Sequence, residues 1–145
     1  MSTKWVVVAD ASRARIFETR ALGRGLREIE DLANPAGRAH SNDLLTDAGG
    51  RTYASVGRQG KTEPRSDPVA HEVEVFAKRI ADRIEQARVE RRFDRLCLVA
   101  PPRFLGLLRE KCGREAGKLI EFELAKDLCR LDAAAIDAHL RNDRP

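Results

Sequence analysis

Hydrophobic positions along the chain fall into blocks with different periods. "KWVVVAD" is a continuous apolar run, Trp5 to Ala9, closed by Asp10, and "RARIFET" follows after only "ASR". Two such runs across a short polar connection predict a β-hairpin. "LREIEDL" alternates Leu26, Ile29 and Leu32 imperfectly with charge, which predicts a third, weaker strand at a sheet edge. From Val69 the period changes. Val69, Val73, Phe76, Ile80, Ile84 and Ala87 recur at three- and four-residue steps, so one apolar stripe runs along a helix to about Glu90. "DRLCLVA" is nearly all apolar, as a strand covered on both faces should be. Pro101 and Pro102 end it and suit the first turn of a second helix, "PRFLGLLREKC", with Gly113 as its expected stop and Gly106 as a point of close approach to a neighbour. "KLIEFEL" is a fifth strand, and "DAAAIDAHLRN" a last helix that Asp132 is placed to cap.

The order is β-β-β-α-β-α-β-α. With right-handed crossovers it predicts an α/β fold with a mixed five-stranded sheet of order 3-2-1-4-5, strand two alone running antiparallel, an arrangement of the ribonuclease H-like kind with three layers and three helices. Strands one, three, four and five then end at one edge, where open α/β sheets hold their sites. Asp10, Arg13, Arg103, Lys126 and Asp127 gather there as candidates.

Between the third strand and the first helix lie residues 33 to 68, with five glycines, three prolines and no helical or strand period. A connection of that length is functional or disordered, and its composition predicts that residues from about Ser41 to Arg65 are mobile in the free protein. Its centre is "DAGGRTYASVGRQGK", and between Ala48 and Arg65 the chain carries Arg51, Arg58, Lys61 and Arg65 against the single acid Glu63, on a backbone opened by Gly49, Gly50, Gly57 and Gly60. Such a segment can lay amides and guanidinium groups along phosphates, and Tyr53 adds one stacking surface. The plain alternative is a solvated loop. A Walker-type reading fails on spacing, because the first glycine of GxxxxGK[ST] would fall at Ser55.

Composition narrows the remaining classes. The 145 residues fit one domain, 1–145, with 42% hydrophobic and 34% charged residues, ordinary for a folded soluble chain. A formal charge of +4 is a mild basic bias. The first apolar run is too short for a signal-peptide core or a membrane span, so the expected location is the cytoplasm, with no membrane partner. Cys97, Cys112 and Cys129 form no CxxC pair and lie at no metal-ligand spacing from a histidine, so no metal and no cofactor is expected. Cys97 reads as a buried inert thiol; the other two would be reactive only if exposed. His40, His71 and His139 stand apart from any nucleophile elbow. A two-metal nuclease would need acids converging on Asp10, from Glu72 or Glu74 and from the end of strand four, but "VAPPRF" supplies none. Asp10 is therefore expected to cap a turn or join an ion pair.

The stretches "KWVVVADASRARIFE", "LVAPPRFLGLLRE" and "ELAKDLCRL", in that order, resemble the bacterial host attachment protein family over essentially the whole chain. That family is similar in turn to the middle domain of archaeal and eukaryotic class-one peptide release factors, in which a glycine-rich loop precedes the long first helix. In catalytic release factors the loop carries Gly-Gly-Gln, which positions a water on the peptidyl-tRNA ester. The resemblance implies that Gly49, Gly50 and Arg51 form the tip here. Arginine stands where the glutamine would be and has no acceptor for a water's hydrogen. The expectation is a small RNA- or ribosome-associated module whose RNA contacts are Arg51, Tyr53, Arg58, Lys61 and Arg65. The alternative is an interaction or regulatory protein for host attachment acting through protein partners. A third reading is a peptidyl-tRNA ester hydrolase. Neither oligomeric state nor catalytic residues follow from the sequence.

Overall fold

The structure is a computed structural model that describes residues 2–37 and 68–143. Five strands, β1 (Lys4–Ala9), β2 (Arg13–Thr19), β3 (Arg27–Ala33), β4 (Arg95–Val99) and β5 (Ile120–Leu124), form one sheet of order β3-β2-β1-β4-β5. Among the described residues three helices, α1 (Pro68–Val89), α2 (Pro102–Gly117) and α3 (Ala133–Asp143), cover its faces, and a further helical turn spans 35–37. β1 is parallel to β4 and β4 to β5, whereas β2 is antiparallel to both neighbours. The strand order and directions are those expected from the sequence.

β1 is continuous in sequence because both its faces are covered. Trp5 and Val7 enter the cluster under α1 and α2, while Val6 and Val8 enter the cluster under α3. Period two thus sends alternate residues of one apolar run to two separate cores. β3, by contrast, has no fully buried residue, only half-buried Ile29, Glu30 and Leu32, as an edge strand should.

The α1 stripe buries Phe76, Ile80, Ile84 and Ala87, with Ala77 and Ala81 filling the adjacent row. The Phe76 and Phe104 rings lie 6.2 Å apart, joining α1 to α2. Trp5 stacks on Phe93 at 5.2 Å, and Arg83, bonded to Glu30 of β3, lies over the indole at 5.5 Å. Asp132 caps α3 through its carboxylate, which accepts the Ala135 N–H at 2.8 Å.

Two local expectations need revision, one in extent and one in substance. Gly113 breaks the helix where expected, with non-helical φ 83° and ψ 179°, but it is not the end of α2: a further helical turn follows the kink and runs to Gly117. Cys112 and Ala116 on either side are both buried, so packing carries the chain across a kink that glycine's positive φ permits. Gly106 admits no close neighbour, since a Cβ built there meets no atom within 4 Å.

Candidate functional site

β1, β3, β4 and β5 end at one edge of the sheet, and the turns that leave them build the candidate site. Asp10 follows β1. One of its carboxylate oxygens accepts the Ser12 N–H at 2.8 Å, the Ser12 hydroxyl at 2.9 Å and the Arg13 N–H at 2.9 Å. These bonds close the β1–β2 hairpin, the work of an aspartate whose short side chain satisfies the backbone just ahead of it.

The β5 exit supplies Lys126, Asp127 and Cys129. Carboxylate oxygens of Asp10 and Asp127 and the Cys129 sulfur lie within 4.8 Å of one another. Cys129 is fully buried, and its thiol donates to the Val8 carbonyl at 3.5 Å. Burial pushes that thiol far up, and the Asp10 and Asp127 carboxylates push it further. A cation here would have to displace a proton that is held tightly, and one acid is already spent on a turn. Cys112 is also buried, and burial raises its thiol to about 11. The condition under which either cysteine would be a nucleophile, exposure, is not met.

The remaining edge candidates are spread apart. Arg13 reaches Asp31 only at 4.0 Å. Lys126 bonds Asp143 at 2.7 Å, and this contact, followed by His139, holds the Asp143 carboxyl below its usual range. Arg103 is exposed on the first turn of α2 and makes no ion pair among the described residues. The edge therefore presents Arg13, Arg103 and Lys126 around an acidic corner and has no large charge excess of its own.

Sequence reasoning missed the residues that root the glycine-rich segment on this edge. Buried Asn34 receives at its backbone carbonyl the Gly37 N–H at 3.0 Å, and its own N–H bonds the Ser12 carbonyl at 2.9 Å. Its side-chain amide donates to the Ala11 carbonyl at 3.0 Å. A Cβ on Gly37 would lie 1.6 Å from that same Ala11 oxygen, so only glycine fits without backbone movement. Arg79 of α1 bonds the Ala33 carbonyl at 3.2 Å. The exit from β3 is thereby fastened both to the Asp10–Ser12 turn and to α1. "NPAG" signalled a turn, but nothing in it named the carbonyl that it grips.

Arg15 was missed as well. Only 8% exposed, it makes a paired contact with Glu28 at 3.0 and 2.9 Å and donates to the carbonyls of Cys129 and Leu131. The Arg15 guanidinium holds the Glu28 carboxyl down at about 2. Asp137 of α3, 7% exposed, accepts the amides of Gly23 at 2.8 Å and Gly25 at 2.9 Å and fixes the β2–β3 turn. The candidates Gly49, Gly50, Arg51, Tyr53, Arg58, Lys61 and Arg65, and the mobility expected of their segment, lie outside the described residues.

A family model described as "Protein required for attachment to host cells" matches residues 5–140. The chain belongs to that family. No curated protein sequence matches this host-attachment family member. Among solved structures, the archaeal translation termination factor aRF1 is similar over 97% of this chain with a TM-score of 0.56 and 9% identity. The chain spans about a third of that factor, 34% of its length. At such identity the likeness concerns the path of the backbone alone. Among the described residues, no helix is long and apolar enough to cross a membrane.

Proposed function

We propose that this protein is an RNA-associated module of the cytoplasm, with the ribosome as the RNA-rich partner. The observation that carries the reading is the fold shared with a translation termination factor over nearly the whole chain. Supporting it, the described root of the basic glycine-rich segment is fastened at the sheet edge that also carries Arg103 and Lys126. Arg51, Arg58, Lys61 and Arg65 supply the phosphate contacts and Tyr53 a stacking face. The family description favours a second reading, an attachment-related protein acting through protein partners. Ester hydrolysis by Gly49, Gly50 and Arg51 is a third and weaker reading, since a guanidinium offers no acceptor to a water.

The test is salt-dependent binding to single-stranded RNA. Three or four phosphate contacts from this segment contribute roughly −2 to −3 to the slope of log K against log salt. Replacing Arg51, Arg58, Lys61 and Arg65 together by Gln should remove that contribution and shift the protein out of the ribosomal fractions of a low-salt gradient. If wild type and variant bind equally weakly and both stay at the top, the protein-partner reading replaces this one.

A further inference from the structure

The opposite end of the sheet has a different character. There β1 and β4 begin, β2 ends and β3 begins, and Lys4 is in register with Thr19 on one side and Arg95 on the other. Thr3, Glu18, Thr19, Arg20 and Arg27 line a hollow of about 280 Å³ at this edge. Arg20, Arg24 and Arg95 are exposed and make no ion pair among the described residues, whereas Arg27 is paired with Glu18. Arg24 sits between Gly23 and Gly25, whose amides the buried Asp137 carboxylate holds, so its backbone is fixed before any partner arrives. Less ordering entropy is then lost on binding.

We infer that this amino edge is a second docking surface for a nucleic-acid phosphate backbone, so that the module lies between two RNA segments. The inference rests on the reading that RNA is the partner, and adds to it a surface on the far side of the sheet. Charge complementarity supports it, because unpaired guanidinium groups match phosphate oxygens as planar forks. The edge is also long enough: β3 and β4 are three strand intervals apart, about 14 Å at about 4.8 Å each, the length of about four stacked nucleotides. A protein partner is disfavoured by the lining. The hollow has no aliphatic or aromatic side chain, and protein interfaces take most of their energy from buried apolar or aromatic anchors. The two edges are separated by the six residues of β1, about 20 Å, so one RNA strand of ordinary width does not cover both.

The experiment uses the full chain, a single-stranded RNA and a salt titration. Arg20, Arg24 and Arg95 are replaced together by Gln, and compared with wild type, with the quadruple Gln variant at Arg51, Arg58, Lys61 and Arg65, and with a control that changes Lys78, Arg88 and Arg109, which all face acids. Thermal melts check that each variant is folded. The edge variant should lower the steepness of the salt slope by about 2, at about 0.7 for each lost phosphate contact, and should add to the loss in the quadruple variant. The control should move it by less than half that. An edge variant identical to wild type, while the quadruple variant loses binding, overturns the second surface and leaves the RNA reading standing. Absence of RNA binding by the wild type overturns both. If polyglutamate of matched charge competes as well as RNA, the surface reads charge alone and the phosphate assignment falls.

Discussion

Replacing Arg15 by Met should destabilise the protein by about 2 to 4 kcal/mol at neutral pH. Met keeps much of the aliphatic stem against Phe17, over which the guanidinium lies at 5.0 Å, and removes the charge together with its N–H donors. Glu28 then loses two N–H donors, and the carbonyls of Cys129 and Leu131 lose one each. Breaking a buried pair from one side costs about 3 to 5 kcal/mol, because the remaining charge is left uncompensated. The Glu28 side chain is 31% exposed, so water takes over part of its solvation and lowers that range.

The pH dependence gives the sharper test. Arg15 holds Glu28 at about 2, below its ordinary 4.5, so the pair's contribution is fully present above 4.5 and is lost as pH falls through about 2. Asp31 works in the opposite sense, since burial and then its neighbour Glu28 raise it, and it gains stability on protonation. Urea unfolding followed by circular dichroism at about pH 7 and about pH 3 should therefore show the gap between wild type and Arg15→Met shrinking by about 1 to 2 kcal/mol, after discounting for exposure. A gap below about 1 kcal/mol at pH 7, or one that does not change with pH, would refute the account of Arg15 as the tie between β2, β3 and the turn before α3.

Phe76→Ala, which deletes a ring 1% exposed between α1 and α2, should cost about 3 to 5 kcal/mol in the same assay, while Glu74→Ala, on the exposed side, should cost less than about 1. Gly37→Ala must move the Ala11 carbonyl, so a loss of about 1 to 3 kcal/mol is expected, with faster amide exchange at Asn34 reporting release of the segment root; unchanged exchange would mean that the contact is dispensable. All three cysteines are buried, and the folded protein should resist alkylation at mildly alkaline pH, becoming fully labelled in urea; rapid labelling of Cys129 in the native state would contradict its burial under the Asp10 turn.

The strands were legible because each is a run whose period reports its coverage. "WVVVA", Trp5 to Ala9, is apolar at every position since two cores need it, and "REIEDLA" is broken since an edge needs little. The long helix was legible from a stripe that never loses phase between Phe76 and Ala87. Gly113 shows how far local punctuation reaches: it breaks the helix as its signal says, yet burial of Cys112 and Ala116 on either side carries one further turn beyond the kink. Arg15, Asn34 and Asp137 were illegible for a related reason. A charged or amide side chain reads as surface, and what buries it is a set of carbonyls and amides distant in sequence, for Arg15 those of residues 129 and 131.

The same limit bears on function. A fold shared at 9% identity preserves a backbone path, because cores tolerate extensive apolar substitution when volume and pattern are kept. It does not preserve the side chains that meet a partner, so a termination factor's chemistry is not inherited with its sheet. On the proposed RNA reading the phosphate contacts would have to come from this chain's own cations, and the carboxyl edge spends several of them internally: Lys126 on Asp143, Arg15 on Glu28, Arg79 on the Ala33 carbonyl. Cations committed to the fold contribute little to a salt slope, whereas Arg20, Arg24, Arg95 and Arg103 are uncommitted among the described residues. The salt response of single and combined variants is therefore the measurement in which fold and function separate, since substitutions at committed arginines appear first in stability and those at uncommitted ones only in binding.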